Sequence, residues 1–185
     1  EHGVLFALDV ALVMLSKGNV YERKRLVSHI RDGERVLDMF AGIGYFSIPI
    51  AKYTNAAVVA VEKNPVAFEY LLRNIELNKI KTVTAVHADC RDALFIEKLA
   101  DTFDRILMGY LPGTEAYLPY AVAAVKDGGT VHFHNTYHKK DLWATAEDEV
   151  RRQCGRAATI TNKKKVKSFA PNVYHVVLDI VIEKT

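Results

Sequence analysis

The sequence predicts an α/β domain built around a doubly wound, mostly parallel sheet. After Gly33, short apolar runs of strand length alternate with helical stretches at the spacing of successive βα units. A glycine-rich turn, Gly42 to Gly44, follows the first of these strands and precedes a helix. The last two strand-like runs have no helical pattern between them, which favours a closing antiparallel pair.

Seven strand-like segments make up the predicted sheet. The first five are short and mostly apolar, as expected for strands covered on both faces: Arg35 to Met39, Ala57 to Glu62, Thr82 to His87, Arg105 to Gly109, and Thr130 to His134. The closing pair is Ala157 to Asn162 and Val173 to Glu183. We expect the basic, proline-containing segment KKKVKSFAPN to connect the two strands of this pair.

Helical patterns fill the gaps between the parallel strands. The clearest helix runs from Pro65 to Asn78, because proline suits the first helical turn. Its predicted apolar stripe consists of Phe68, Leu71, Leu72 and Ile75. A second helix is predicted over Thr114 to Val125, although Pro119 lies in its first turns, and it stops at Asp127-Gly128-Gly129. A third, polar-faced helix is predicted over Lys140 to Cys154.

Composition bounds the function classes. The chain has 185 residues, of which 50% are apolar and 25% charged, a profile typical of a soluble globular domain. Two cysteines, Cys90 and Cys154, are too few for a disulfide framework and form no CxxC pair, which favours a reducing, cytoplasmic location. No apolar stretch reaches the roughly 18 residues that a membrane span needs.

Basic residues are clustered although the formal net charge is only +3. Such clusters form either a solvated face or a contact with nucleic acid. The cluster near the C-terminus is the candidate contact with an RNA backbone, and it consists of Lys163, Lys164, Lys165 and Lys167.

Glycines and polar residues end four consecutive predicted strands. In a doubly wound sheet these carboxyl ends converge on one crevice, where ligands bind. A carboxylate at the end of the second strand can accept both hydroxyls of a ribose. The pattern therefore predicts a site for a nucleoside-type cofactor, whereas a glycine turn alone also occurs in plain strand-to-helix packing. The residues at these ends are Asp38, Gly42 and Gly44, then Glu62, then Asp89 and Cys90, then Gly109 and Tyr110.

Three segments carry a family resemblance. DMFAGIGYFSIP, with EKNP after the second strand and HADCR after the third, resembles class I S-adenosylmethionine-dependent transferases, in the form found in RNA-modifying enzymes. FALDVALVMLSKGNVYERKRL, Phe6 to Leu26, resembles the signature of the family that modifies the guanosine at position 37 of tRNA. SFAPNVYH near the C-terminus is similar to the same family.

The resemblance implies a Rossmann-like fold with a mostly parallel seven-stranded sheet and an antiparallel C-terminal strand. It also implies S-adenosylmethionine as group donor, no metal, and the anticodon loop of tRNA as partner, with no obligate protein partner evident. We expect residues 1–30 to pack on a catalytic domain of residues 31–185, and a tRNA-binding domain to lie upstream. The implied cofactor-binding residues after the first three strands are Asp38, Phe40, Gly42, Gly44, Glu62, Lys63, Asp89 and Cys90.

This family has two branches, which transfer different parts of the same cofactor. The methyl branch acts on guanine N1 and typically carries Asn-Leu-Pro or Asn-Pro-Pro after the fourth strand. The other, archaeal-type branch moves the 3-amino-3-carboxypropyl group onto C7 of 4-demethylwyosine. Met108-Gly109-Tyr110, together with the HFHN run at 132–135, resembles the aminocarboxypropyl branch. The resemblance therefore predicts aminocarboxypropyl transfer, with Gly109 and Tyr110 at the reaction site.

The missing asparagine has a physical meaning. An Asn carbonyl can orient a ring N–H beside the sulfonium methyl, and Gly109 removes that group. The amino-acid arm of the cofactor must then be turned toward the base and held there. Ser16 and Arg23 are the candidates for holding it, because an arginine fork matches a carboxylate, although Arg23 could instead contact solvent or phosphate. Glu22 is the candidate proton acceptor, or else a helix N-terminal charge.

Histidines and aromatic residues near the strand ends admit more than one role. We interpret His132, His134 and His138 as strand-end packing or RNA contacts rather than metal ligands. Tyr110 and Phe133 could stack on the extruded base or on adenine, or pack in the core.

Three alternatives to aminocarboxypropyl transfer differ in class. The first is the guanine-37 N1-methyltransferase of the same family, and the second is a non-catalytic RNA-binding module with a relic cofactor pocket. The third, an amino-group methyltransferase acting on DNA or protein, needs an Asn/Asp-Pro-Pro-aromatic tetrad, and none follows the fourth strand.

Overall fold

The computed structural model describes residues 1, 3–13, 19–92, 97–154 and 157–183. Seven strands belong to one mixed sheet of order β3-β2-β1-β4-β5-β7-β6, so the predicted fold class and strand number are confirmed. The chain divides into two compact units, Glu1–Cys90 and Arg91–Thr185. Among the described residues, no helix is long and apolar enough to cross a membrane.

In its described residues, the first unit contains a parallel three-stranded part of the sheet and three helices. The central strand β2 pairs in parallel with β1 on one side and β3 on the other. Their register places Asp38 beside Ala60 and Glu62 beside His87, so the three carboxyl ends lie at one edge. The elements are β1 Arg35–Asp38, β2 Ala57–Glu62, β3 Val83–His87, α1 Val20–His29, α2 Ser47–Tyr53 and α3 Pro65–Leu77.

Helix α3 begins where its capping residue predicts. The side chain of Asn64 accepts hydrogen bonds from the backbone N–H groups of Val66 and Ala67, and Pro65 occupies the first turn, where its missing N–H costs nothing. Leu71 is fully buried in a cluster with Ala41 and with Ala60 of β2, whereas Leu72 is 47% exposed. The predicted stripe was therefore wrong at Leu72, which lies about 100° around the helix from Leu71.

Two asparagines of this region bind the N-terminal segment. Asn74 Oδ1 accepts from the backbone N–H of Ala7 at 2.7 Å, and Asn74 Nδ2 donates to the Ala7 carbonyl at 3.1 Å. Asn78 makes the same pair of contacts with Leu5, at 2.9 and 2.7 Å. Because the two side chains lie one helical turn apart, they hold an extended segment along the helix, much as a neighbouring strand would.

The second unit combines one parallel and two antiparallel strand pairings. β4 pairs in parallel with β5, and β7 lies between β5 and β6, antiparallel to both. The strands are β4 Phe103–Met108, β5 Val125–His138, β6 Ala157–Ala170 and β7 Val173–Glu183. The helices are a 3₁₀ turn at Thr114–Tyr117, α4 Leu118–Ala124, a 3₁₀ turn at Lys139–Asp141 and α5 Leu142–Gln153.

Two sequence predictions in this unit were wrong. The expected single helix over 114–125 is a 3₁₀ turn followed by α4, because Pro119 is accommodated only in the first turn of a new helix. The basic segment at 163–172 is mostly strand β6 rather than a connection, and only Pro171 and Asn172 form the turn to β7. β6 ends the sheet order, and lysines are common on such edge strands because they discourage pairing with other chains.

Neighbouring leucines of α3 provide a test of this packing. We expect Leu71→Ala to lower the free energy of unfolding by about 3 kcal/mol, because it leaves a cavity beside β2. The matched change Leu72→Ala should alter it by less than about 0.5 kcal/mol, because that side chain already contacts water. Urea unfolding followed by circular dichroism measures both. Equal effects of the two substitutions would contradict the assigned helix face.

Candidate active site

Asp38 ends β1 and is completely buried. Its Oδ2 accepts a hydrogen bond from the Ser47 hydroxyl at 2.6 Å, and its Oδ1 accepts one from the backbone N–H of Phe40 at 3.4 Å. Burial raises the pKa of Asp38 to about 6, and the nearby charge of Glu62 acts in the same direction, while the two hydrogen bonds oppose them. The carboxyl group thus ties the turn after β1 to the start of α2.

Two glycines shape this turn for different reasons. Both have positive φ, +57° at Gly42 and +98° at Gly44. A Cβ on Gly44 would lie 2.5 Å from Ile48 Cδ1, so glycine is needed there for packing. A Cβ on Gly42 would meet nothing within 4 Å and would extend into open space. The first glycine therefore leaves room beside the turn, and the second allows the turn to pack on the helix.

Glu62 connects the glycine turn to α3. Its Oε2 accepts the backbone N–H of Gly42 at 2.7 Å, and its Oε1 accepts the backbone N–H of Asn64 at 2.6 Å. A carboxylate has about four acceptor positions, so these two bonds leave each oxygen able to accept another donor. A diol such as a ribose could be held in this way.

The end of β3 adds an ion pair and a ring contact. Lys63 Nζ lies 2.9 Å from Asp89 Oδ2, and the side chain of Lys63 is largely exposed. His87 Nε2 lies 3.1 Å from the Lys63 carbonyl oxygen, and its ring stacks on Phe68 with centroids 5.0 Å apart. Cys90 is buried. The structure therefore brings together, at one edge of the first unit, the residues that sequence analysis placed after β1, β2 and β3.

The two predicted residues on α1 are buried and engaged. Glu22 is 1% exposed, and its carboxylate contacts the Arg25 guanidinium at 2.5 Å. Arg23 holds both carboxylate oxygens of Glu1, at 2.6 and 2.5 Å, and its guanidinium lies 5.0 Å from the centre of the Tyr45 ring. Tyr45 belongs to the segment after Gly44, so Arg23 packs against the glycine turn. Ser16 lies outside the described residues.

In the second unit, Gly109 and Tyr110 follow β4 directly. The Tyr110 side chain is 46% exposed, and its ring lies edge-on to Tyr117 with centroids 6.1 Å apart. The hydroxyl of the fully buried Thr114 donates to the Tyr110 carbonyl oxygen. The buried Thr114 therefore holds the backbone of the turn, while the Tyr110 ring is partly exposed.

A polar network at the end of β5 was missed by the sequence analysis. The Asn135 amide, which is 3% exposed, donates to Glu115 at 2.8 Å and to Glu149 at 3.2 Å, and the Tyr137 hydroxyl donates to the same Glu149 oxygen. Burial, followed by the contact with Glu149, raises the pKa of Tyr137, and burial also raises the pKa of Glu149. Asn135, in the HFHN run at 132–135, was the available signal, but its partners come from distant parts of the sequence.

Two of the three histidines of β5, His132 and His134, pack inside the second unit. His132 Nε2 accepts from Arg105 at 2.8 Å, so its Nδ1 carries the hydrogen that faces Asp179 at 2.5 Å. His134 Nδ1 lies 2.9 Å from His175 Nε2. His132 and His134 are each 1% exposed, so packing rather than RNA contact is their role in this structure. His138, at the end of β5, is exposed, and its Nδ1 accepts the backbone N–H of Lys140 at 3.3 Å.

The four lysines of the basic cluster divide between the two faces of β6. Lys163 and Lys165 lie opposite Leu178 and Val176 of β7, whereas Lys164 and Lys167 lie opposite Val177 and His175 on the other face. On the first face, Lys163 pairs with Glu147 at 2.6 Å and Lys165 lies 4.8 Å from the centre of the Tyr174 ring. Two of the four lysines that we expected to face RNA therefore contact side chains of the second unit itself.

Known proteins are similar to this chain in sequence and in fold. The model of the TRM5/TYW2 methyltransferase domain matches residues 1–165. The chain is 42% identical over 188 residues to the tRNA(Phe) (4-demethylwyosine(37)-C(7)) aminocarboxypropyltransferase of Methanocaldococcus jannaschii, covering 100% of this chain and 74% of that protein. It is 34% identical over 182 residues to the tRNA (guanine(37)-N(1))-methyltransferase Trm5b of Pyrococcus abyssi, covering 97% of this chain and 53% of that protein.

A solved structure is similar over the whole chain. The crystal structure of M. jannaschii TYW2 in complex with AdoMet matches with a TM-score of 0.89 at 40% identity, covering 100% of this chain and 84% of that one. The comparisons confirm both the family resemblance and the class I transferase fold.

The buried carboxyl group of Asp38 predicts a pH dependence of stability. Between the ordinary pKa of 3.8 and the raised value of about 6, the native state keeps a proton that the unfolded state has lost. The free energy of unfolding should therefore fall as pH rises through this window, by roughly 3 kcal/mol from this group. Asp38→Asn, which keeps an acceptor for Ser47, should remove this contribution.

Urea unfolding at several pH values from 4 to 7 measures this pH dependence of the free energy of unfolding. The exposed Asp141→Asn serves as the control and should keep the wild-type slope. A slope unchanged by Asp38→Asn would contradict the prediction.

Proposed function

We propose that this chain, which belongs to the TRM5/TYW2 methyltransferase-domain family, transfers the 3-amino-3-carboxypropyl group of S-adenosylmethionine to C7 of 4-demethylwyosine at position 37 of tRNA(Phe). The observation that carries the choice of reaction is Gly109 at the end of β4, where the methyl branch carries an asparagine. The higher identity to an aminocarboxypropyltransferase than to a guanine-N1 methyltransferase supports the same choice.

The reaction makes one bond and breaks one. C7 of the base attacks the Cγ atom of the methionine part of the cofactor, and the Cγ–S bond breaks. The sulfur keeps the bonding electron pair and leaves as methylthioadenosine, and C7 then loses its proton. The protein must therefore orient the amino-acid arm of the cofactor, rather than its methyl group, toward the base.

The first unit provides the proposed cofactor-binding residues. The carboxylate of Glu62 would accept the ribose hydroxyls, since each of its oxygens has one backbone donor and further acceptor capacity. The open space beside Gly42 fits a ligand that approaches the backbone closely. Asp38 and Phe40 would support the turn beneath the cofactor. Residues after β2 and β3 would line the adenine, namely Lys63, Asp89 and Cys90.

We assign two roles to residues on or near α1: binding the amino-acid arm of the cofactor, and accepting the proton that C7 loses. The Arg23 fork grips a carboxylate in this structure, that of Glu1, and the same geometry suits the carboxylate of the cofactor arm, with Ser16 as the second contact. Glu22 is the proposed acceptor of the C7 proton, and Arg25 holds its carboxylate in place. In the second unit, Tyr110 would present its exposed ring to the base.

The proposed partner is the anticodon loop of tRNA, reached in the cytoplasm. The lysines of β6 would contact its backbone, which adds affinity without sequence preference. Residues 1–30 would act as a family-specific segment on a catalytic domain of residues 31–185, and selection of the tRNA would depend on an upstream domain.

Two other functions remain as competing hypotheses. A guanine-37 N1-methyltransferase shares this fold and is supported by the Trm5b relative. A non-catalytic RNA-binding module would keep the fold without binding the cofactor.

A dual-label experiment separates the three functions. The full-length protein is incubated with tRNA(Phe) carrying 4-demethylwyosine and with S-adenosylmethionine labelled either in the methyl or in the carboxyl carbon. We expect only the carboxyl label to enter the RNA. Methyl label in the RNA would instead identify the methyltransferase.

Gly42→Val tests whether the space beside the glycine turn binds the cofactor. Its side chain would fill the space beside the turn at a positive φ, so we expect S-adenosylmethionine binding measured by calorimetry to be lost together with transfer. Absence of binding by the wild-type protein would favour the RNA-binding module.

The turn after β4 provides a second test of the reaction. We expect Gly109→Asn combined with Tyr110→Leu to lower kcat for aminocarboxypropyl transfer by about 100-fold, because a misplaced group at the reacting atoms costs on that order. Affinity for S-adenosylmethionine should change little, since the proposed ribose contacts lie in the first unit. Single-turnover kinetics measures the effect, and unchanged transfer would reduce Gly109-Tyr110 to a simple turn.

A further inference from the structure

The turn between β6 and β7 exposes an aromatic ring on a basic surface. Phe169 is 49% exposed, so about half of this large apolar residue lies in solvent although it belongs to a paired strand. It occupies an irregularity of the pairing between Ser168 and Ala170. We name residues 167–172 the hairpin tip. A large ring kept in solvent at such a position suits a binding contact.

The hairpin tip is held firmly. Ala170 pairs directly with Val173, so only Pro171 and Asn172 form the turn, with Asn172 at a φ of +58°. The Asn172 carbonyl oxygen accepts the backbone N–H of Lys139 at 2.7 Å, which fixes the tip to the end of β5. Little backbone freedom is therefore lost when a ligand binds to the ring.

Positive charge surrounds the ring. Lys139 and Lys140 follow β5 immediately beside the tip, and both are exposed. Lys167 lies within the tip itself. A ring that offers a flat face, together with several ammonium groups, is the combination that binds single-stranded nucleic acid: the base stacks and the phosphates are neutralised.

The hairpin tip lies at the same end of the second unit's sheet as Tyr110. β4 and β5 are parallel with Met108 opposite Phe133, and β5 continues to His138, which pairs with Val173 at the tip. Counting residues beyond Met108, the tip extends roughly 10 Å past the level of Tyr110 at about 3.3 Å per residue. β6 is three strands away from β4 in the sheet, which adds about 14 Å sideways at about 4.8 Å per strand. This separation suits a nucleotide of the same loop that is not adjacent to the one that meets Tyr110.

We propose that the hairpin tip is a contact for single-stranded RNA, in which Phe169 stacks on a base of the tRNA loop other than the modified base. This inference rests on the proposed function, because the RNA in question is the anticodon loop. It goes further by assigning a base contact to Phe169 and backbone contacts to Lys139 and Lys140, in addition to the lysines of β6.

The experiment measures binding of two RNA probes to the full-length protein. One is the anticodon stem–loop of tRNA(Phe) with 2-aminopurine at successive loop positions, and the other is a blunt duplex of the same stem. Phe169→Ala and Phe169→Leu should each weaken stem–loop binding about 10-fold and abolish quenching at one loop position, whereas Phe169→Tyr should preserve both. Duplex affinity should be unchanged by all three.

Leu72→Ala is the matched control, because it removes a similarly exposed apolar side chain far along the chain in the first unit. It should leave binding of both probes unchanged. The stacking contact is overturned if Phe169→Leu binds the stem–loop like wild type, or if Phe169→Ala weakens duplex binding equally. Competition by polyglutamate as effective as competition by RNA would overturn it in favour of an acidic protein partner.

Failure of this inference is distinguishable from failure of the proposed function. The dual-label assay identifies the transferred group, whereas the stem–loop probe reports only RNA contact. Methyl label in the RNA together with loss of quenching in Phe169→Ala would overturn the reaction and support the hairpin tip.

Discussion

The carboxylate of Glu62 accepts hydrogen bonds from two backbone N–H groups. The arrangement of the strand ends at the carboxyl edge of the first unit depends on these two hydrogen bonds. One oxygen holds Gly42 at 2.7 Å and the other holds Asn64 at 2.6 Å, so a single side chain sets the glycine turn against the start of α3. The same charge helps to raise the pKa of the buried Asp38. Keeping two acidic groups near one turn costs stability, and a cofactor with donor hydroxyls would recover part of that cost by hydrogen bonding to Glu62.

The second unit separates a buried polar interior from an exposed basic end. Arg105, His132 and Asp179 form a chain of hydrogen bonds inside the sheet, and each is at most 9% exposed. Such a chain is tolerated because every charged group in it has a partner. Exposed lysines, Lys139 and Lys140, and two exposed aromatic residues, Tyr110 and Phe169, lie instead at the carboxyl ends of β4 and β5 and at the hairpin tip. This division leaves a rigid strand framework for the basic surface that we propose as the RNA contact.

The choice between two reactions rests on very few atoms. Both branches of the family share the fold and the cofactor, so the turn around Gly42 does not distinguish them. The difference lies in which carbon of the sulfonium faces the base, and a side chain at position 109 can decide this because it lies where β4 ends. In the proposed function, the glycine at this position makes room for a differently oriented amino-acid arm.

Much of the fold, and the residues at the carboxyl edge of the first unit, could be predicted from local sequence signals. Asp38, Gly42, Gly44 and Glu62 could be placed because strand length, positive-φ glycines and strand-end carboxylates are properties of short segments. Four features could be established only from the tertiary structure. They are the partners of Asn135, the burial of His132, the exposure of Leu72 and the strand conformation of the lysine segment. Glu115 and Glu149 are 20 and 14 residues from Asn135, and no local pattern joins them. Which buried polar groups meet is decided by packing between distant elements, because each must find a partner once water is excluded.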